Sequence, residues 1–206
     1  MEWKIGSLLK DGFKTWKEHW VLITGILLFS TVLPMVPHGL QMAVSEDALI
    51  SKFILLLIWG LLIILAEMGF TTILLKAVKG EPYVFSDFFS RFDLFPSYFC
   101  AYVLNALAVV LGFIFVIIPG IIFALKFSMY RFFVLEDSLE GVEALRKSNQ
   151  VTYGHKWHLL GFFIVACLIN FAGTLLLGIG WLFTAPVTAL AWTHLFFILT
   201  NRKEIA

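Results

Sequence analysis

An all-α polytopic membrane protein is the class this sequence predicts, and three observations predict it. The 206-residue chain is 60% hydrophobic and only 14% charged, against roughly 25% charged in ordinary soluble domains. A soluble chain of this size cannot hide so much apolar surface. The apolar residues fall into six long runs separated by Pro, Gly and charge, each near the roughly 17–25 residues that cross a bilayer. Lysine and arginine are also unevenly shared between the two sets of loops. The prediction is a single integral membrane domain over 1–206, with six transmembrane helices and three interfacial amphipathic helices on the cytoplasmic side.

Taken in order, Ile5, Leu8, Leu9, Phe13, Trp16 and Trp20 recur at helical spacing. Lys4, Lys10, Lys14 and Lys17 take the opposite face. This pattern predicts an interfacial helix over about 3–17, with lysines toward anionic lipid. The first span runs over about 20–36 and ends at Pro34, Pro37 and Gly39. A polar loop from His38 to Lys52 follows. The second span, about 53–75, carries Glu67 and closes at Lys76, Lys79, Gly80 and Pro82.

Phe85, Phe88, Phe89, Phe92 and Phe95 predict a second surface helix over about 84–95, with Ser86 as its N-cap. The third span, about 96–118, is expected to turn at Pro119-Gly120 into a fourth, about 121–135. Asp137 and Glu140 have the spacing of a capping box opening a third surface helix, 138–153. The fifth span is about 158–177, the turn Gly178-Ile179-Gly180, and the sixth span about 181–200.

Six spans put both termini on one side. Lys4, Lys10, Lys14, Lys17, Lys76, Lys79, Arg91, Arg146, Lys147, Lys156, Arg202 and Lys203 share that side, and Lys52 alone faces the other. The positive-inside rule then places both termini in the cytoplasm of a cell membrane. The first apolar run is not followed by a convincing cleavage site, so no cleavable signal peptide is expected. Cys100 and Cys167 lie inside apolar runs and read as small buried apolar residues, not as a disulfide pair.

The order surface helix, span, turn, returning span occurs three times. LKDGFKTWKEHW (Leu9 to Trp20) and LRKSNQVTYGHKW (Leu145 to Trp157) align with one gap, each entering the membrane at His-(Lys)-Trp. Three helical hairpins around an axis along the membrane normal fit this pattern. The shared preference of every membrane entry for Trp, Lys and His also fits it.

The stretches IIPGIIFALKFSMYRFFVLED, GVEALRKSNQVTYGHKWHLLGF and LLLGIGWLFTAPVTALAWTHLF resemble a family of bacterial integral membrane proteins. This is the glycerophosphoryl diester phosphodiesterase membrane domain, with a related family of unknown function. The resemblance is best over 117–198. It implies a helical protein of the cell envelope and, through some relatives, a protective role in peptide-antibiotic immunity. It implies no phosphodiesterase activity: the metal-binding carboxylates and general-base histidines of a catalytic barrel have no counterpart here, and no separate catalytic domain is expected within 206 residues.

Among candidate site residues, Glu67 is the most costly. A charge near mid-bilayer costs roughly 2.5–3.5 kcal/mol on insertion scales unless paired or neutral. Lys126 and Arg131 are the available counter-charges. The cluster reads either as a proton or cation site or as a structural ion pair. Asn105, Asn170 and His194 also fall within spans, where they are expected to hydrogen-bond between helices. Gly60, Gly69, Gly112, Gly161 and Gly173 are expected to permit close helix approach.

Lys10, Lys14, Lys17, Arg91, Arg146, Lys147, Lys156 and His155, with Trp20 and Trp157, form the expected contact with anionic headgroups. His19, His155 and His158 lack the companion ligands of a metal site. No GxSxG, HExxH or GxxxxGK[ST] motif is present. The expected function is therefore non-enzymatic, without cofactor or metal: binding of a membrane lipid or a protein partner, including a homo-oligomer, and no nucleic acid. A small channel or transporter using Glu67 with Lys126 or Arg131 is the alternative.

Overall fold

The computed structural model describes residues 4–44, 48–175 and 179–201. The expected residues Trp3, Gly178, Arg202 and Lys203, and the ends of the fifth span and its turn, lie partly or wholly outside that range. The described residues form an all-α protein with no strand. Six helical segments are long and apolar enough to cross a membrane: Trp20–Met42, Leu49–Lys79, Phe85–Phe115, Ile117–Asp137, Lys156–Leu175 and Trp181–Leu199. Among the described residues the α-helices are α1 (Ile5–Glu18), α2 (Trp20–Val32), α3 (Met35–Ala43), α4 (Leu49–Lys79), α5 (Phe95–Phe115), α6 (Ile117–Phe127), α7 (Tyr130–Asp137), α8 (Gly141–Thr152), α9 (Lys156–Leu175) and α10 (Trp181–Leu199).

Several expected boundaries move. Most of the expected polar loop is helical, because α3 continues past His38 to Ala43 and α4 begins at Leu49. The turn expected at Pro119-Gly120 lies three residues earlier, at Val116, which is extended (φ −164°). Pro119 instead occupies the first turn of α6, where its missing N–H costs nothing. Gly120 packs on Gly112 across the tight α5–α6 hairpin: a Cβ at Gly112 would lie 2.8 Å from Gly120 Cα.

The Phe-rich surface helix is absent as such. Two 3₁₀ turns, Phe85–Phe89 and Phe92–Leu94, take its place. Val84, not Ser86, is the cap, and its N–H donates to Asp87 Oδ2 at 2.9 Å. The expected capping box does not form either. Asp137 ends α7, Ser138 turns left-handed (φ 54°), and α8 starts after Glu140 without a side-chain cap bond. Cys100 and Cys167 are free and exposed on the outer faces of α5 and α9, not buried.

The fourth span is broken at Ser128-Met129, between α6 and α7. No Gly or Pro marks the break. Ser148 on α8 holds it: its hydroxyl donates to the Lys126 carbonyl at 2.9 Å and accepts the Met129 N–H at 3.1 Å. Thr152 adds a second donor to the same carbonyl at 3.1 Å. A buried backbone group that leaves its helix needs such a partner, and α8 supplies it.

Packing is concentrated at one end. Every buried residue of α4 lies from Ile64 onward, and every buried residue of α10 from Pro186 onward. Phe132 stacks on Phe196 (4.9 Å between centroids), and Phe133 and Phe197 meet Phe196 edge-on. The other half of α4 turns Phe53, Leu57 and Leu61 outward. Lipid is as apolar as these side chains, so their exposure has no cost in a bilayer.

The surface segments are seated on the spans. The sequence predicts α1 flat at the interface, yet Gly12 sits against Val187 and Ala191, near the middle of α10. Thr15 Oγ1 and His194 Nε2 share a hydrogen bond of 3.0 Å, and Trp16 meets Phe183 edge-on. Phe88 of the first 3₁₀ turn lies on Gly69 of α4, and Gly141 of α8 lies on Ser97 and Ala101 of α5. Of the expected packing glycines, Gly69, Gly112 and Gly173 stand at tight approaches. A Cβ at Gly60 would meet nothing within 4 Å, and one at Gly161 would make only ordinary contact with Ile5.

Candidate functional site: an ion pair beside a membrane cavity

Two helices bring the site together. α4 carries Glu67 one turn before Thr71, and the break at Ser128-Met129 re-aims the chain so that Arg131 opens α7 facing α4. Arg131 Nη1 lies 2.7 Å from Glu67 Oε1. The side chains are 36% and 24% exposed respectively, so the pair is neither sealed in protein nor open. Tyr98, Tyr102 and Tyr130 lie within electrostatic reach of the guanidinium, and the Tyr98 and Tyr130 rings are 5.8 Å apart. Arg131 Nε is buried with no hydrogen-bond partner among the described residues. Arginine is suited to this place because its planar fork holds a carboxylate and stays charged.

Lys126, the other expected counter-charge, is not the partner of Glu67. Its Nζ lies over the Phe123 ring, 5.6 Å from the centroid. Lys126 and Arg131 are five residues apart, about 140° around a regular helix, so they face differently with or without the break. Asn170 Nδ2 donates to Thr188 Oγ1 at 2.9 Å and ties α9 to α10. Asn105 Oδ1 is buried on α5 with no hydrogen-bond partner among the described residues. His194 is buried and bonds α1, away from the ion pair. The structure therefore joins only Glu67 and Arg131 of the six intramembrane candidates.

Glu67 also lines a cavity of about 420 Å³ between α2–α3 and α4. Pro34, Met35, Trp59, Ile63, Ala66 and Phe70 form its apolar wall, with Ser30 and Thr31 at the rim. Both hydroxyls donate to their own helix, Ser30 to the Leu27 carbonyl at 2.8 Å and Thr31 to the Leu28 carbonyl at 2.9 Å. With those protons engaged, each hydroxyl keeps acceptor capacity. A carboxylate is likewise acceptor-only. The cavity thus combines an apolar wall with acceptors and no side-chain donor except the Trp59 indole. Nothing local in the sequence points to it, because Ser30, Thr31 and Glu67 are distant in the chain and ordinary in kind.

The headgroup candidates are dispersed. Lys10, Lys14 and Lys17 are exposed along α1, and Arg146 and Lys147 along α8. Trp20 is 51% and Trp157 83% exposed at the starts of α2 and α9, beside the half-buried His155 and Lys156. Arg91 alone lies in a cleft, with Lys76 and Lys79. Outside the spans, burial and the neighbouring Glu18 push the Tyr83 phenol up to about 12. No group of three or more His, Cys, Asp or Glu side chains placed to hold a metal ion occurs among the described residues.

No protein-family model, curated protein or solved structure matches this chain.

Proposed function

We propose that the protein is a non-enzymatic integral membrane protein that binds a membrane amphiphile between α2–α3 and α4. The observation that carries the proposal is Glu67 at the wall of an otherwise apolar cavity, held by Arg131. Ligand pockets of this kind bury hydrocarbon on a broad apolar surface and read orientation through a few polar groups. Acceptors at the rim and wall call for donors on the ligand, a hydroxyl or ammonium headgroup. The protective envelope role implied by the family resemblance fits a binder of this type.

Filling the cavity tests the proposal. Ser30→Phe is expected to release the lipid that co-purifies with the wild type in gentle detergent, read by native mass spectrometry as loss of the bound mass, while the protein stays helical. Retention of the same mass by Ser30→Phe sinks this site.

A channel or transporter, with Glu67 carrying a proton or cation, draws on the same ion pair. Phe132, Phe133, Phe196 and Phe197 fill the space between α7 and α10, which favours binding over passage. Liposome flux abolished by Glu67→Gln reverses that order.

The surface-segment contacts support a three-unit reading as well. Each segment sits on spans of another unit: α1 on α10, the 3₁₀ turns on α4, and α8 on α5 and the α6–α7 break. Three hairpins closed in a ring by their surface segments account for this order. The lysine and arginine asymmetry supports a cytoplasmic side for both termini. A cysteine at Lys52 is expected to react with an impermeant reagent added outside intact cells; labelling only after lysis reverses the orientation.

A further inference from the structure

We propose that the cleft at the end of α4, between Lys79 and Arg91, binds a phosphate group, taken from a phospholipid headgroup or from soluble phosphate. It is separate from the Glu67 cavity and stands without it. α4 ends at Gly80, whose left-handed backbone (φ 68°) turns the chain back. The 3₁₀ turn Phe85–Phe89 then returns Arg91 to the last turns of α4. The result is a cleft of about 160 Å³ lined by Lys76, Lys79, Arg91, Glu81 and Glu136 among others.

The charges are unequally satisfied. Lys79 bridges Glu81 at 3.4 Å and also pairs with Glu136. Lys76 is held by Asp87 at 2.8 Å. Arg91 makes no ion pair among the described residues, although it is half-buried in the same wall. Three cations and two carboxylates line the cleft, and Asp87 on Lys76 makes the charges equal, so Arg91 is left as the cation without a carboxylate partner among the described residues. A guanidinium has five donors, no acceptor and a fork that matches phosphate oxygens, so it is the unmet demand of this site. Position agrees with chemistry: the end of a span lies at headgroup depth, where basic pockets between helices take lipid phosphate.

The test uses the full chain in an uncharged maltoside detergent, following its thermal unfolding midpoint. One arm adds dihexanoyl phosphatidylglycerol, a second inorganic phosphate, and a third chloride at matched ionic strength. A saturable rise beyond the chloride arm is expected. Arg91→Gln should need about tenfold more ligand, the worth of one charge-assisted hydrogen bond. Arg91→Lys should recover part of the response, and Lys52→Gln, at the opposite end of α4, should match the wild type. A rise confined to the phospholipid names lipid as the source, and an equal rise with inorganic phosphate names soluble phosphate. No rise beyond chloride in either arm overturns the proposal. So does an Arg91→Gln response equal to that of the wild type.

Discussion

Gly12→Val is expected to lower the thermal unfolding midpoint by about 5–10 °C, the equivalent of about 2–3 kcal/mol of overpacking in a chain of this length. A Cβ at Gly12 would lie 2.7 Å from the Val187 carbonyl oxygen and 2.9 Å from the Ala191 nitrogen. Both are backbone atoms of α10, which cannot rotate aside as a side chain can. α1 must lift off the span, breaking the Thr15–His194 bond and the Trp16–Phe183 contact. Gly141→Val faces the same obstacle, with Ser97 O at 2.6 Å and Ala101 N at 2.7 Å. Gly60→Ala meets nothing and should melt with the wild type or slightly above it, since alanine is the better helix former. Circular dichroism in detergent reads all three. An unchanged midpoint for Gly12→Val would show that α1 is not seated on α10.

Removing one half of the central ion pair is the second large effect. Glu67→Gln is expected to cost about 3 kcal/mol, because it leaves Arg131 poorly compensated where water is scarce. Arginine cannot escape by giving up its proton. Arg131→Gln should be milder, since a lone carboxyl can take up a proton and become neutral. The double variant Glu67→Gln with Arg131→Gln should recover most of the loss, as two amides in the same place can bond each other. A thermal double-mutant cycle measures the coupling. Equal losses for both single variants, adding without interaction in the double, would show that the 2.7 Å contact contributes nothing in the folded protein.

Much of this was legible from local sequence. Span existence followed from hydropathy summed along a window, and the closing of α4 at Gly80 followed from a glycine that takes positive φ. Local signals misled where another element intervened. Pro119-Gly120 has the composition of a turn, but the hairpin bends at Val116 because Gly120 is used to pack on Gly112. The periodic phenylalanines between Phe85 and Phe95 mimic a helix. They form 3₁₀ turns because Phe88 must reach Gly69 while Asp87 is pinned by Lys76. Asp137 and Glu140 have capping-box spacing, yet α7 consumes Asp137 as its own last residue.

The amino-acid sequence by itself determined the solvent of this protein, the number of its crossings and the residues that are costly in lipid. Each of these depends on a sum or a single residue type, with no partner needed. Tertiary structure alone decided which cation meets Glu67. Lys126 and Arg131 stand five residues apart with no Gly or Pro between them, so nothing local announces a break at Ser128-Met129. Ser148 and Thr152 hold that break open from α8, across 22 and 26 residues of chain. Beyond the break Arg131 of α7 meets Glu67 of α4, while Lys126 lies over Phe123, one turn back on its own helix. A hydrogen bond between distant segments sets the direction of a helix, and only the folded chain contains that bond.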